Sequence, residues 1–247
     1  MTDFSKTLIR ASAVGYLFVE PQAKAAKDAG ELSKTAQTYL INDYIRSKYG
    51  RDKDIVTPAM TKGIEAEDQS IKMLSQHQQM KLVKNQERLS NDFITGHPDV
   101  FTGETIKGCD FLWDIKTSWS IWTFLAQIPD KLDNLYYYQL QAYMWLCDCP
   151  NAAIAYVLAD APQGIIESEK KKLLYSMNVA TDLAPEYVEA AAGLEINMIY
   201  PDIELSERIL IFPVQRDEEV IEKMKAKVIK AREFLQYFEE KHLSFNK

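Results

Sequence analysis

The sequence predicts a single α/β domain, of the α+β type, in which helices pack around a β-sheet. Three observations support this prediction. Short strand-like runs separated by glycines lie in the first half of the chain, helical periodicity flanks these runs, and a long amphipathic helix closes the sequence. With 247 residues, of which 47% are apolar and 26% charged, the chain can build one sizeable core.

The first part of the domain, residues 1–56, is expected to be mainly helical from Ile9 to Tyr49. Alanine-rich stretches favour helix there, and Gly30 interrupts them. Ser33 is a suitable N-cap for a second helix. The apolar residues of that helix are Leu40, Ile41 and Ile45. We expect this part to form a helical platform.

The second part, residues 57–160, begins with a helix whose start is marked in the sequence. Thr57 is a suitable N-cap, and Pro58 suits the first turn. Apolar residues then recur at spacings of three and four, which predicts one helix with a core-facing stripe. The stripe consists of Met60, Ile64, Ile71 and Leu74. Glu67 falls on the same stripe, and a buried carboxylate needs a compensating partner.

Strands and another helix follow in this second part. Gly103 and Gly108 predict turns between strand-like runs. The runs are residues 81–87, 93–101 and 109–117. Residues 134–146, rich in Tyr, Leu and Trp, predict a helix, and residues 152–158 predict an apolar strand.

The third part, residues 161–247, should complete the fold with a strand and a long helix. Residues 208–214 are apolar and strand-like. From Asp217 onward a helical stripe predicts a helix that packs against the sheet. Its members are Val220, Met224, Val228, Ala231, Leu235 and Phe238. The polar stretch between strand 152–158 and strand 208–214, which includes Lys170-Lys171-Lys172, predicts no definite element.

The strongest chemical signal lies between Gly96 and Lys116. Alternate side chains of a strand point the same way, so Asp114 and Lys116 should share one face while Ile115 points to the other. A turn at Gly103 would bring Asp99 beside them on a neighbouring strand. Two carboxylates and one ammonium group would then meet at one place.

These groups suit a magnesium site. Mg²⁺ prefers oxygen ligands and commonly uses one or two carboxylates together with water and phosphate. Asp99 and Asp114 supply carboxylates, Ile115 can supply its carbonyl oxygen, and Glu67 can join directly or through water. Such a centre activates water and stabilises a phosphodiester during hydrolysis. Lys116 would orient that water and neutralise the phosphate.

Gln139 and Tyr143 are spaced i, i+4 on the Tyr-rich helix. Both side chains should therefore lie on one face, within reach of the water, of Lys116 or of a nucleotide phosphate. An Asp-x-Lys triplet alone is common and says little. The ordered set of motifs is far more specific. It comprises Gly63-x-x-x-Glu67, Gly96-His97-Pro98-Asp99, Asp114-Ile115-Lys116 and Gln139-x-x-x-Tyr143.

With these motifs the sequence resembles the PD-(D/E)xK nuclease superfamily, and within it the RecB-like, lambda-exonuclease and YqaJ-like branch. The resemblance covers residues 57–158, and the strand and helix after Arg208 fit the same layout. It implies a restriction-endonuclease-like core, with a central mixed sheet flanked by helices, and degradation of DNA from its ends. Asp99 resembles the Asp of the first half-motif, and Asp114 with Lys116 the second half. Glu67 resembles the acid on the helix.

The resemblance also implies further groups and partners. Gln139 with Tyr143 resembles the QxxxY motif of the RecB-like branch. Because phage-type recombination exonucleases often hold the 5′ phosphate with an N-terminal Arg or Ser, Arg10 and Ser12 are candidates for binding DNA, although an N-cap role explains Ser12 equally well. We expect Mg²⁺, replaceable by Mn²⁺, as the cofactor. Relatives of the lambda type form rings around DNA and others act as monomers, so the resemblance leaves both a ring-shaped trimer and a monomer open. A single-strand annealing protein is a candidate partner.

Other features limit the prediction. The net charge of −7 weakens the DNA hypothesis without excluding it, because local basic groups can still hold phosphates. Three cysteines cannot bind a four-cysteine iron–sulfur cluster, so we expect none. His77, His97 and His242 show no zinc-ligand spacing. Trp119 and Trp122 follow the active strand and are candidates for stacking on a base, although core packing is the simpler role.

No apolar run approaches the roughly 20 residues that span a bilayer. The N-terminus also lacks a secretory signal. We therefore expect a protein of the cytoplasm, in a bacterium or a phage-infected cell, with no membrane partner. Three hypotheses about activity remain open. They are a DNA exonuclease acting on duplex ends, a structure-selective or sequence-specific endonuclease, and a nuclease-fold protein that binds DNA or a recombination partner without turnover.

Overall fold

The computed structural model describes residues 3–53, 56–128 and 132–245. Two β-sheets and the surrounding helices make up this part of the chain. The α-helices are α1 (Lys24–Asp28), α2 (Lys34–Tyr49), α3 (Pro58–Glu65), α4 (Glu67–Gln78), α5 (Ile121–Leu125), α6 (Asn134–Cys147), α7 (Gln163–Met177), α8 (Pro185–Ile196) and α9 (Glu218–Ser244). Two 3₁₀ helices cover Ala11–Phe18 and Leu205–Arg208.

The strands form one five-stranded sheet and one three-stranded sheet. They are β1 (Ile9–Arg10), β2 (Val83–Lys84), β3 (Leu89–Ser90), β4 (Ile94–Gly96), β5 (Val100–Thr102), β6 (Phe111–Thr117), β7 (Asn151–Val157) and β8 (Ile209–Gln215). The larger sheet has the order β2-β5-β6-β7-β8, and the smaller one β1-β4-β3. In the larger sheet β6 and β7 are parallel and the other neighbours antiparallel. The expected mixed sheet is confirmed.

Helices cover both faces of the larger sheet. Residues of α4, such as Leu74, pack with Trp113 of β6 and Val157 of β7 on one face. On the other face, Leu140 of α6 belongs to the main core together with Leu112 of β6 and the N-terminal 3₁₀ helix. Leu112 and Trp113 thus point to opposite faces, as neighbouring residues of a strand should. By the same alternation, Asp114 and Lys116, which follow in β6, point to the face of Leu112.

The N-terminal part is less uniformly helical than the sequence suggested. Ser33 does cap α2, because its side chain accepts a hydrogen bond from the backbone N–H of Ala36 at 3.2 Å. Ile9 and Arg10, however, form a short strand that pairs in parallel with β4. The prediction of helix at these two positions is wrong, because a partner far along the chain supplies strand hydrogen bonds that local alanine content does not reveal.

The helix predicted to begin after Thr57 is interrupted. Thr57 caps α3 as expected, through a hydrogen bond from the N–H of Met60 at 3.2 Å. The backbone then leaves helical geometry at Ala66, with φ −96° and ψ 6°, and a separate helix, α4, begins at Glu67. The apolar residues before and after this break therefore do not lie on one continuous helix face. Met60 and Ile64 are 54% and 73% exposed, so their predicted burial is wrong.

The strand-like run 93–101 is also divided. Ile94–Gly96 belongs to the small sheet and Val100–Thr102 to the large one. The residues between them include Pro98, which has no N–H to donate and so favours a break in a strand ladder. This break directs Asp99 towards β6. The predicted turns at Gly103 and Gly108 are present, and both glycines adopt positive φ.

The C-terminal third contains two helices that the sequence did not reveal. The polar stretch with Lys170 forms α7, which pairs with α8 through an ion pair between Lys170 Nζ and Glu195 Oε2 at 2.6 Å. The long helix α9 packs chiefly on α2, α6 and the N-terminal 3₁₀ helix rather than directly on the sheet, which corrects its predicted position. In the three described segments, no helix is both long and apolar enough to cross a membrane.

Candidate active site

The pairing of β5 with β6 brings the first acid of the candidate site to the second. The register sets Val100 opposite Trp113 in antiparallel strands, so the residue before Val100 lies beside Asp114. Asp99 is held there because its Oδ2 accepts a hydrogen bond from the backbone N–H of Ile115 at 3.0 Å. The turn at Gly103 thus produces the proximity that the sequence indicated.

Asp114 and Lys116 share the face of β6 that looks towards α6. Lys116 Nζ lies 2.6 Å from Asp114 Oδ2. The other carboxylate oxygen, Oδ1, accepts a hydrogen bond from Gln139 Nε2 at 2.6 Å. Ile115 packs with the opposite core, as alternation requires. Asp114 is almost completely buried, so these short polar contacts compensate for the loss of its hydration.

Gln139 also joins Tyr143 to the same network. Its Nε2 lies 3.4 Å from the Tyr143 hydroxyl oxygen, one turn further along α6. Burial and the nearby negative charge of Asp114 raise the pKa of Tyr143, so this hydroxyl keeps its proton near neutral pH. Tyr143 lies against Gly96, where a Cβ atom would come within 2.8 Å of its ring. The glycine of the Gly-x-Pro-Asp turn therefore makes room for this tyrosine.

Lys116 is held in its charged form. Burial alone would lower its pKa, but attraction to Asp114 and Asp99, together with the hydrogen bond to Asp114, outweighs burial, and the pKa of Lys116 is raised. Its Nζ also lies 5.1 Å from the centre of the Tyr136 ring, a cation–π distance. Tyr136 was not singled out from the sequence. Because it lies three residues before Gln139 in α6, helical spacing was the signal that placed it on this face.

Asp99 has too little positive charge around it. Burial and repulsion by Asp114 raise the pKa of Asp99 to about 7, although Lys116 and the N–H of Ile115 oppose that rise. Asp114 Oδ2 is buried and accepts no hydrogen bond with suitable geometry from any described group, despite the approach of Lys116. Two adjacent carboxylates with an oxygen left unsatisfied fit a divalent cation of the Mg²⁺ type.

Glu67 does not lie where the single-helix prediction put it. It is the first residue of α4, its side chain is 38% exposed, and its Oε1 forms an ion pair with Lys84 Nζ at 3.3 Å. Its charge is still close enough to contribute to the raised pKa of Asp99. Across residues 3–53, 56–128 and 132–245, no three acidic, His or Cys side chains are already grouped to hold a metal. The two aspartates are together, and Glu67 is engaged by Lys84.

The N-terminal DNA-binding candidates lie at the surface. Arg10 is exposed at the end of β1, with its guanidinium carbon 6.0 Å from the centre of the Tyr39 ring. It lines a cavity of about 420 Å³ together with Arg46 and Arg51. Ser12 is exposed and is the second residue of the 3₁₀ helix, where Arg10 occupies the cap position. The alternative explanation of Ser12 as an N-cap is therefore wrong.

The tryptophans after β6 have different environments. Trp119 packs against a small cluster that includes Ile165 of α7 and Met198, so its ring is held by the C-terminal helices. Its backbone oxygen accepts a hydrogen bond from the fully buried Lys62 at 3.1 Å. Trp122, on α5, is 63% exposed. Of the two candidates for contacting a base, Trp122 is the more accessible.

Comparison with solved structures places this geometry in a known group. A phage-related exonuclease from Haemophilus somnus 129PT superposes with a TM-score of 0.74 and 27% identity, over 96% of this chain and 97% of its own. The chain belongs to the PD-(D/E)xK nuclease superfamily. The superfamily assignment is consistent with Asp99, Asp114 and Lys116 lying together on adjacent strands of its mixed sheet.

A second solved structure with a similar fold is that of LHK-Exo, an alkaline exonuclease from Laribacter hongkongensis. Its TM-score is 0.60 at 14% identity, with 98% of this chain and 96% of that chain covered. The same enzyme in complex with dAMP gives 0.58 at 14% identity, with 96% and 94% covered. At this identity the likeness concerns the fold alone. Protein-family models give no match, and curated protein sequences give none at a significant level.

Asn85 is a further polar residue near the candidate site that sequence reasoning missed. It lies just after β2, is 3% exposed, and hydrogen-bonds to the segment that carries Asp99. No local pattern pointed to it, because its role depends on the pairing of β2 with β5, two strands separated by fifteen residues of chain.

Proposed function

We propose that the chain is a metal-dependent DNA exonuclease that hydrolyses phosphodiester bonds from duplex ends. The observation that carries the proposal is the buried contact of Asp114 with Lys116 and Gln139, next to Asp99, in a superfamily fold shared with a phage-related exonuclease. A module that only binds DNA has no need of an acid–acid–lysine set at the edge of two strands. The acidic net charge is compatible with this, because the site concentrates carboxylates.

Mg²⁺ is the proposed cofactor, and we expect Mn²⁺ to replace it. Asp99, Asp114 and the carbonyl oxygen of Ile115 would hold the ion, and Glu67 would join them by giving up its ion pair with Lys84. When bound, the ion supplies positive charge that acidifies water and stabilises the phosphodiester during hydrolysis. It would also relieve the repulsion that raises the pKa of Asp99.

Side chains of the protein would orient the attacking water and neutralise the negative charge of the phosphate. Lys116, charged and fixed by Asp114 and the Tyr136 ring, would donate a hydrogen bond to the attacking water and neutralise the phosphate oxygens. Gln139 holds Asp114 in place through its Oδ1. The Tyr143 oxygen accepts a hydrogen bond from Gln139 Nε2, and its hydroxyl keeps its proton, which it would donate in a hydrogen bond to a phosphate oxygen.

The DNA would enter from the exposed side of the site. Arg10, Ser12 and the basic residues Arg51 and Lys53 of the cavity that Arg10 lines would contact the phosphates of the duplex end. Trp119 or the more exposed Trp122 would contact a base. In the cell we propose a phage-type recombination or DNA-end-processing role, with a single-strand annealing protein as partner and a ring-shaped homotrimer as the assembly.

Cleavage of linear and covalently closed circular duplexes tests the proposed activity. With Mg²⁺ the linear duplex should be degraded from its ends and the closed circle spared, and EDTA should stop the reaction. Comparing linear substrates with and without a 5′ phosphate tests the role of Arg10 and Ser12. Cutting of the closed circle would indicate an endonuclease instead. DNA binding without cleavage of any substrate would indicate a binding protein.

Substitutions at the site test which residues carry the reaction. Asp114→Asn and Lys116→Met should each reduce kcat by at least about a hundredfold, because they remove a cation ligand and the charge that meets the phosphate. Asp182→Asn and Lys172→Met, both on the exposed surface of the C-terminal third, are matched controls and should leave the rate unchanged. A variant at Asp114 or Lys116 that is folded and cleaves at the normal rate would contradict the assignment.

A further inference from the structure

We propose that Asn85 is a positioning residue, which fixes the backbone of Asp99 so that its carboxylate meets the cation and the phosphodiester in one geometry. This inference rests on the proposed nuclease function. Asn85 is 3% exposed and follows directly after β2. Its backbone N–H donates to the carbonyl oxygen of Asp99 at 2.9 Å, and its side-chain Nδ2 donates to the carbonyl oxygen of Pro98, also at 2.9 Å.

The remaining bonds of the amide fix Asn85 itself. Its Oδ1 accepts from the N–H of Glu87 at 3.0 Å, and its Nδ2 donates a second bond to the Glu87 carbonyl oxygen at 2.7 Å. Both ends of the side chain are thereby engaged. A group that is buried and bonded at both its donor and its acceptor atoms has little freedom to move. The loop after β2 and the segment before β5 are thus joined through one side chain.

Asp99 needs such an anchor because of the sequence that precedes it. Pro98 has no N–H, so the backbone of the Gly96–Asp99 turn has one donor fewer with which to hold its conformation. The regular ladder of β2 with β5 ends at the pair Lys84 and Val100. Beyond that pair, Asn85 supplies the next main-chain bond and adds the side-chain bond to Pro98.

Three contacts therefore fix Asp99 from different directions. The N–H of Ile115 holds its carboxylate, the N–H of Asn85 holds its carbonyl oxygen, and the Asn85 side chain holds the peptide before it. The first contact comes from β6, and the other two come from Asn85. Loss of the side-chain bond would leave the buried Pro98 carbonyl without its donor and let the Asp99 backbone shift. A shift of about 1 Å in a reacting group is enough to cost a hundredfold in rate.

Asn85→Asp is the decisive substitution, because it keeps the shape and the Oδ1 acceptor but replaces the donating Nδ2 with an oxygen. That oxygen would face the carbonyls of Pro98 and Glu87. Asn85→Ser is the conservative variant, since a hydroxyl can restore one of the two donated bonds. Asn91→Asp is the matched control. The Oδ1 of Asn91 accepts from the N–H groups of Phe93 and Ile94 at 2.9 Å each, so aspartate can keep both bonds.

Four quantities are measured for each variant: kcat and KM on a linear duplex, the Mg²⁺ concentration for half-maximal rate, and the rise in thermal midpoint that Mg²⁺ causes without DNA. Asn85→Asp should lower kcat by on the order of tenfold to a hundredfold and raise the Mg²⁺ requirement, as loss of a support behind a ligand typically does. KM for DNA should change by less than about twofold, since the Asn85 side chain is buried and its amide is bonded to the protein's own backbone. Asn85→Ser should be intermediate, and Asn91→Asp normal.

The proposal is overturned if folded Asn85→Asp or Asn85→Ser protein keeps the normal kcat and Mg²⁺ dependence. It is also overturned if the rate falls only in proportion to the unfolded fraction and recovers fully at a lower temperature, because that result indicates support of the fold alone. Failure of the proposed function looks different. In that case the unsubstituted protein itself cleaves no DNA with Mg²⁺, whatever the variants do.

Discussion

At the scale of single residues, the candidate site satisfies its two aspartates unequally. Asp114 contacts Lys116 and Gln139, whereas the carboxylate of Asp99 accepts a hydrogen bond from the N–H of Ile115 alone among the described groups. Burial and the charge of Asp114 therefore raise the pKa of Asp99 to about 7. Without a cation, a charged Asp99 destabilises the fold. The arrangement that suits metal binding thus costs stability in the metal-free protein.

This imbalance predicts a pH-dependent effect of Asp99→Asn. Because the folded pKa of Asp99 lies above its ordinary value of 3.8, the favourable contribution of its protonated form is complete below about pH 4 and is lost as pH rises through 7. In metal-free buffer, the variant should have a higher free energy of unfolding than the unsubstituted protein at pH 8. The difference should shrink steadily towards pH 5.

Urea unfolding at several pH values, with EDTA present, measures this difference. The same variant should lose DNA cleavage, which separates stability from function. A stability gap that stays constant from pH 5 to pH 8 would show that Asp99 is not strained by its charge.

Local sequence predicted the site where a role depends on neighbours in the chain. The spacing of Asp114 and Lys116 fixed their common face, and Gly103 fixed the turn that returns Asp99 to them. Glu67 was placed on a buried stripe because nothing in the sequence revealed that the helix breaks at Ala66. Asn85 escaped notice because its partners belong to another strand. Side chains whose role depends on long-range pairing are not visible in local patterns.

At the scale of elements, α6 and the small sheet approach each other closely around Gly96. A Cβ atom there would lie 2.8 Å from Tyr143 Cε1, 2.9 Å from Ala11 Cβ and 3.0 Å from Leu146 Cδ1. These atoms belong to α6 and the N-terminal 3₁₀ helix, so β4 can pack against both elements at this distance only because it carries a glycine here. The packing of α6 against β4 in turn sets the position of Tyr143.

Gly96→Ala should therefore lower both stability and activity. We expect a loss of about 1–3 kcal/mol in the free energy of unfolding, the usual effect of overpacking a core. DNA cleavage should also fall, because Tyr143 must move. Gly193→Ala, in the exposed part of α8 with no atom within 4 Å of the new Cβ, is the control and should be neutral or stabilising by up to about 1 kcal/mol. Equal unfolding curves and rates for the two variants would contradict this packing argument.

Elements with strong end signals were predicted well, and those divided or defined by tertiary contacts were not. Helix α2 begins at its predicted serine cap, and α6 matches its predicted range within one residue. The run 93–101 divides at Pro98 because its two halves join different sheets. Helices α7 and α8 have mixed polar sequences, and their apolar contacts are chiefly with each other and with Trp119. Such a pair has little amphipathic pattern to read.

At the scale of the whole molecule, Lys62 connects parts of the chain that are far apart in sequence. It is fully buried in α3, donates to the Trp119 carbonyl oxygen beyond β6, and lies 5.9 Å from the centre of the Tyr200 ring. The nearby ion pair of Asp160 with Arg208 adds charges of both signs. One ammonium group on α3 thus contacts the segment after β6 and the C-terminal third. A buried ammonium with so few partners is costly in free energy.

The cost of burying Lys62 should appear as a pH dependence of global stability. Burial lowers the pKa of Lys62 from 10.5 to about 8, with Arg208 lowering it further and Asp160 opposing. Between about pH 8 and 10.5 the unfolded chain binds more protons at this position than the folded one, so stability rises with pH there. Relative to Lys62→Met, the unsubstituted protein should gain up to about 3 kcal/mol in free energy of unfolding across that range.

Denaturant unfolding of the unsubstituted protein and Lys62→Met from pH 7 to 10.5 measures this gain. In the same comparison Lys172→Met, at an exposed lysine, should show no such pH-dependent difference. A difference in the free energy of unfolding between Lys62→Met and the unsubstituted protein that stays constant with pH would contradict the prediction. It would mean that the ammonium group is solvated and that α3, Trp119 and Tyr200 do not enclose it.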